Sequence, residues 1–380
     1  MYYNTCYTSF FLNKSGSALV LISVLLLCIA AQVWPILPVA SQAVPASFAF
    51  GDSLGDPGNN NYIDSLSKAN YPHNGIDFPA GPTGRFTNGR TIVDIVGEFL
   101  GLEHYLPPFM APSTTGTAIL NGVNYASGAA GILDSSGYAF IERIPMNQQV
   151  AQFANTSAEI MQLLGPEAGA NLISKSLFAV NMGSNDFLNN YFVPLSPIGN
   201  LSAEAVNSLI LSTLEQQLTR LYSLGARKFV IASVGPLGCI PYRLTFTFAE
   251  NGECDQNMNL QIQSFNAGLE GLLNQLNSQL SGSHFVYANA YDKFFEMIQN
   301  PTEFGFTTSD VACCGAGGEY RGALSCTPLV SMCDDRANYV FWDPYHPSDK
   351  ANVLLATTFY YGDTNYVRPM NIAQLAAMQV

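Results

Sequence analysis

The sequence predicts an α/β fold built on a central parallel sheet, and three observations carry that expectation. Five short apolar runs have strand length, long amphipathic segments separate the later runs, and 380 residues at 48% hydrophobic content suffice to cover a sheet on both faces. Strands that alternate with helices pair in parallel through right-handed crossovers, which buries both sheet faces.

The first run, 47–50, ends at the turn that begins with Gly51. A Pro- and Gly-rich stretch from Tyr71 to Gly89 reads as a long ordered loop able to shape a substrate entrance beside that turn. The second run, 122–125, leads into Gly128, and the third, 177–182, into Asn185. A helix then carries Val206, Ile210, Leu214, Leu218, Leu221 and Leu224 at three-to-four spacing and stops before Gly225. After the fourth run, 229–234, a second helix carries Ile262, Phe265, Leu269, Leu272, Leu276 and Leu280, and the fifth run is 285–288. A last helical segment follows His346, with Ser348 placed to cap it. No repeat, charge block or low-complexity linker divides the chain, so 44–380 reads as one domain.

Residues 1–43 hold one charged side chain, Lys14, and an apolar stretch from Ala18 to Ala31 that is shorter than the roughly 20 residues needed to span a bilayer. With small residues around Val39–Ala43, this reads as a secretory signal peptide cleaved near Gln42–Val44. The mature chain is then expected outside the cell or in the cell wall, with no later transmembrane span. Its six remaining cysteines, Cys239, Cys254, Cys313, Cys314, Cys326 and Cys333, suit three disulfides in an oxidising compartment. Cys239 with Cys254 closes a short loop and is the preferred first pair; the other four can pair three ways, with the adjacent Cys313 and Cys314 the most strained. No histidine lies among the last four cysteines, which disfavours zinc. Two glycosylation sequons begin at Asn155 and Asn200. Charged residues make up 11% of the chain and the net charge is -13, so no basic stripe exists to bind nucleic acid or an anionic membrane.

In open α/β sheets ligands bind beyond the carboxyl ends of the strands, and the polar candidates cluster there in the sequence. Ser53 lies in Gly51-Asp-Ser-Leu-Gly55, directly after the first run. A serine hydroxyl needs a base within hydrogen-bond reach and a third group to orient that base. Of the four histidines, His346 alone has a carboxylate three residues ahead, Asp343. That spacing can set Asp343 against Nδ1 and leave Nε2 for Ser53. Ester hydrolysis also needs donors aimed at an oxyanion, and the candidates are the Ser53 N–H, the Gly128 N–H and the Asn185 side-chain amide. Phe187, Tyr191 and Tyr345 adjoin these segments and are candidates to line an acyl site. The Gly-x-Ser-x-Gly pattern formally matches the elbow of α/β-hydrolases, but Ser53 stands too close to the mature N-terminus and Asp343 too close to His346 for that fold.

Phe50-Gly-Asp-Ser-Leu54 with Gly58-Asn-Asn-Asn61, Asn124-Tyr-Ala-Ser-Gly128, Gly183-Ser-Asn-Asp186 and Phe341-Trp-Asp-Pro-Tyr-His-Pro347 together resemble the GDSL esterase/lipases of the SGNH hydrolase superfamily, in their plant secreted branch. The resemblance implies a three-layer α/β/α sandwich with a central parallel sheet of about five strands and a mechanism without metal or cofactor. It assigns the nucleophile to Ser53, the base to His346, the acid to Asp343 and the oxyanion donors to Ser53, Gly128 and Asn185. It implies a small-molecule or lipid ester as substrate. An acyltransferase using the same acyl-enzyme, a serine peptidase and a catalytically silent wall-associated binding protein are the competing readings; oligomeric state is not legible.

Overall fold

A computed structural model describes residues 42–380. The expected signal segment falls outside this range except for its last two residues. Ala43 donates its backbone N–H to Leu100 O (2.9 Å), and Val44 is already buried.

Six strands form one sheet: β1 (Ser47–Gly51), β2 (Gly122–Asn124), β3 (Leu177–Asn181), β4 (Lys228–Ala232), β5 (His284–Ala288) and β6 (Val367–Arg368). Their order is β2-β1-β3-β4-β5-β6. The first five strands are parallel and are the five predicted apolar runs. The antiparallel β6 lies outside the prediction, because two residues paired with Tyr287 and Ala288 make no apolar run.

Helices cover both faces. Side chains alternate along each strand, so Phe48, Phe50, Phe178, Val180, Phe229 and Ile231 point to one layer and Leu177, Val230, Ala232 and Val286 to the other. The first layer is closed by helices at Met146–Leu164, Ala203–Ser223 and Gln256–Gln279. The second is closed by α1 (Ile92–Phe99), α2 (Ala290–Gln299), α3 (Asp349–Tyr361) and a short C-terminal helix, Ile372–Ala377. The two leucine-rich helices read from the sequence are Ala203–Ser223 and Gln256–Gln279, and Ser348 caps α3 by accepting from Ala351 N–H.

The Tyr71–Gly89 loop is ordered by charge. Arg85 meets Asp94 of α1 through two bonds of 2.7 Å, both side chains being buried, and its guanidinium lies 4.3 Å from the centre of the Phe78 ring. Beyond it, Asn88 Oδ1 accepts from Asp349 N–H and Asp349 accepts from Arg90, so the loop's end holds the N-terminus of α3. That helix begins three residues after His346, which couples the loop to the position of the imidazole.

The cysteines pair as Cys239–Cys254, Cys313–Cys333 and Cys314–Cys326. The last two bridges pack around the buried Trp342, immediately before Asp343. Trp342 donates Nε1–H to Asn74 Oδ1 (2.9 Å) and its backbone N–H to His346 O (2.8 Å), so the bridges and the loop support the same turn.

Candidate active site

Ser53 sits in the turn that leaves β1 at the carboxyl end of the sheet. The turn is close-packed: Gly51 runs so near β3 that a Cβ there would stand 2.6 Å from Asn181 O, which excludes any larger residue. Gln149 ties the same glycine from the other side, accepting from its N–H (2.9 Å) and donating to its carbonyl (2.8 Å).

Ser53 Oγ lies 2.7 Å from His346 Nε2, across 293 residues of chain. His346 Nδ1 lies 2.8 Å from both oxygens of Asp343. Asp343 Oδ1 also accepts the backbone N–H groups of Tyr345 and His346, each at 2.8 Å, which turns a three-residue spacing into a fixed carboxylate. Asp343 and His346 are buried, and the ring of Phe86 packs 5.1 Å from the imidazole, centre to centre. All three residues named from the sequence therefore meet in one line of contacts.

Asn185 is also in place, on the short helical turn Ser184–Asp186 after β3. Its Nδ2 donates to Ala130 O (2.9 Å), and its Oδ1 accepts from Asn189 Nδ2 (2.5 Å), which fixes the amide's orientation and leaves the second Nδ2 hydrogen for the cavity.

The Gly128 N–H, expected as an oxyanion donor, has a partner of its own. It is spent on Asp56 Oδ2 (2.9 Å) and does not face the serine. The next residue, Ala129, lines the cavity together with Ser53 and Asn185. Ala129 adopts φ 66°, a left-handed conformation unusual for a residue with a Cβ. Among the described residues neither the Ala129 N–H nor the Ser53 N–H has a hydrogen-bond acceptor.

Two buried aspartates that motif reasoning passed over hold this loop. Asp56 accepts from Gly58 and Asn59 (both 2.7 Å) as well as from Gly128. Asp186 accepts from the backbones of Ile132 and Leu133 and from Ser136 Oγ, each at 2.8 Å. Burial pushes both carboxyls up to about 6, against the hydrogen bonds that pull them down. The available signal was a carboxylate amid Gly and Asn, where a chain reversal leaves N–H groups to satisfy. Asp52, beside the serine, is a further buried carboxyl. Its Oδ1 accepts from Leu54 N–H, its Oδ2 has no partner among the described residues, and burial raises it to about 7.

The cavity over these groups has a volume of about 190 Å³ and a mainly apolar lining. Tyr71, Asn74 and Phe86 bring the Tyr71–Gly89 loop to its wall, and Tyr345 lines it as anticipated. Phe187 and Tyr191 do not. Phe187 is buried against Phe265, 5.3 Å between ring centres, and Tyr191 packs on Phe192.

A serine, an imidazole and a carboxylate in line, with unpaired donors beside the serine, can carry acyl transfer through a serine ester. A family model described as GDSL-like lipase/acylhydrolase matches residues 48–359. The chain belongs to that family. The GDSL esterase/lipase At2g23540 of Arabidopsis thaliana is 49% identical over 340 residues, covering 88% of each chain. The GDSL esterase/lipase At4g16230 of the same plant is 46% identical over 347 residues, covering 90% of this chain and 94% of that one. Among solved structures, a catalytic mutant of Axe2, an acetylxylan esterase from Geobacillus stearothermophilus, aligns with 83% of this chain and 93% of its own at 12% identity and a TM-score of 0.38. This GDSL protein is a carboxylic ester hydrolase. No helix among the described residues is long and apolar enough to cross a membrane.

Proposed function

We propose that the chain is a secreted serine esterase that works through an acyl-enzyme on Ser53, with His346 as base and Asp343 as the orienting acid. The observation that carries this reading is the unbroken line from Ser53 Oγ to His346 Nε2 (2.7 Å) and from Nδ1 to the Asp343 carboxylate (2.8 Å). In the first step the serine oxygen bonds to the ester carbonyl carbon while its proton passes to Nε2. The carbonyl oxygen gains the negative charge, and the Ser53 N–H, the Asn185 amide and the Ala129 N–H are the donors to it, Ala129 taking the place first given to Gly128. Collapse expels the alcohol, which leaves with the proton held by His346. Water then repeats the sequence and releases the acid, restoring the serine.

Secretion rests on the N-terminal sequence, whose apolar stretch from Ala18 to Ala31 and small residues around Val39–Ala43 read as a cleavable signal. Both sequon asparagines, Asn155 and Asn200, are exposed, although Asn155 stands within a helix. The test uses purified mature chain and a short-chain nitrophenyl ester. Ser53→Ala and His346→Ala should each remove most turnover, and the double variant should be little worse than either, because the two act as a unit. Near wild-type turnover by folded Ser53→Ala would exclude the mechanism.

A further inference from the structure

We propose that Asn60 is a positioning residue for the oxyanion donor at Ala129: it grips the Gly128 carbonyl, and through that one peptide it aims the Ala129 N–H. This rests on the reading of Ser53 as nucleophile with the Ala129 N–H beside it, and adds to it the residue that sets the donor's direction.

Three consecutive asparagines follow the nucleophile turn, and each ties down a different segment. Asn59 Nδ2 donates to Asn124 O (2.9 Å) and Ala126 O (2.8 Å), and Asn61 Nδ2 donates to Thr83 O (2.7 Å). Asn60, buried in the same short 3₁₀ turn (Asn59–Tyr62), takes the peptide that joins Gly128 to Ala129. Its Nδ2 donates to Gly128 O (2.9 Å) and to Ser67 O (2.8 Å), which uses both amide hydrogens. The amide is also held from its other end. Ser127 Oγ accepts from Ile144 N–H (2.9 Å), so its own hydrogen goes to Asn60 Oδ1, 2.5 Å away. A flipped amide would set its oxygen against two carbonyl oxygens. Gly128 lets the grip be this close, because a Cβ there would stand 2.9 Å from Asn60 Nδ2 and 2.8 Å from the Phe86 ring.

In a trans peptide the C=O and the N–H point in opposite directions. The Gly128–Ala129 peptide is trans, so with its carbonyl on Asn60 its N–H is turned away from Asn60. Ala129 lines the cavity with Ser53 and Asn185, and Asn60 does not, which puts Asn60 behind the peptide and the N–H on the cavity side. The left-handed φ of 66° at Ala129 is one that a residue with a Cβ keeps only where its surroundings enforce it. Asp56 on the Gly128 N–H and Asn60 on the Gly128 carbonyl supply that enforcement from both sides of Gly128.

The experiment measures kcat, KM and the pH profile of nitrophenyl butyrate hydrolysis by wild-type, Asn60→Ala, Ser127→Ala, the double variant and Ser53→Ala, with folding checked by circular dichroism. Removing one oxyanion donor costs roughly 10²–10³-fold in kcat, so a donor left unaimed in Asn60→Ala should cost about ten- to a hundredfold, with KM within about twofold of wild type. The acid limb of the kcat/KM profile, set by His346, should not move. A general loss of packing would shift KM and that limb as well. Ser127→Ala frees the amide to turn and should show the same split with a smaller loss, and the double variant should be no worse than Asn60→Ala, because Ser127 acts through Asn60. If Asn60→Ala does not fold, Ser127→Ala carries the test, and an unchanged kcat there overturns the proposal. A kcat within about threefold of wild type in folded Asn60→Ala, or a loss accompanied by a shifted acid limb, overturns it equally. If that happens while Ser53→Ala is inactive, the serine mechanism stands without Asn60; turnover that survives Ser53→Ala removes both.

Discussion

Asp56→Asn separates the loop that shapes the oxyanion donors from the residues that do the chemistry. Three backbone N–H groups end on this fully buried carboxylate, those of Gly58 and Asn59 on one oxygen and that of Gly128 on the other. Asparagine keeps one oxygen for Gly58 and Asn59 but turns an NH₂ toward Gly128, so one charge-assisted bond is lost and a buried N–H is left unpaired. Bonds to charged groups contribute about 1.5–3 kcal/mol each. The asparagine also relieves the cost of burying a charge, which burial expresses by raising Asp56 to about 6. The net loss should be about 1–3 kcal/mol, or roughly 1–4 °C in Tm for a domain of this size. Catalysis should suffer separately, because Ala129 follows Gly128 directly. Complete loss of one oxyanion donor costs roughly 10²–10³-fold in kcat, and a shifted one should cost about ten- to a hundredfold with KM little changed. Thermal unfolding by circular dichroism and steady-state kinetics on a nitrophenyl butyrate read the two effects. A lowered Tm with wild-type kcat would refute the link from Asp56 to the donor at Ala129.

Asp343→Asn should fold normally yet lose as much as roughly ten-thousand-fold in kcat, because the amide favours the wrong imidazole tautomer; a loss under tenfold would contradict the role given to Asp343. The pH dependence of stability should carry the sign of Asp52. Its ordinary value of 3.8 is raised to about 7 by burial, so between pH 4 and 7 the folded chain holds a proton that the unfolded chain has lost, and stability falls as pH rises through that window. Asp52→Asn should flatten the fall in Tm between pH 5 and 7.5, and an unchanged slope would assign it elsewhere. Thiol titration of the denatured, unreduced mature chain should find no free cysteine, and two or more would contradict the three bridges.

What was legible in the sequence was local. Ser53 is marked by a glycine turn after an apolar run, and Asp343 with His346 by three-residue spacing, so each could be named before its partner's position was known. The five parallel strands and the two leucine-rich helices were legible because hydrophobic periodicity reports burial. What depended on distant contacts was not. Gly128 was named as a donor from its motif, yet its N–H is taken up by Asp56, 72 residues away, a contact that the motif does not reveal. Phe187 and Tyr345 look alike beside their motifs, and only packing sends one to Phe265 and the other to the cavity. The pairing of Cys313 with Cys333 and Cys314 with Cys326 follows from the turn around Trp342, which spacing does not encode.

The most direct test of the central claim is covalent labelling of the mature chain with a fluorophosphonate, followed by peptide mass spectrometry. The serine mechanism predicts one phosphonyl adduct on Ser53, loss of ester hydrolysis in step with labelling, no adduct in Ser53→Ala, and labelling slowed at least a hundredfold in His346→Ala. Labelling of a different residue, or full ester turnover by chain whose Ser53 is completely modified, would contradict it.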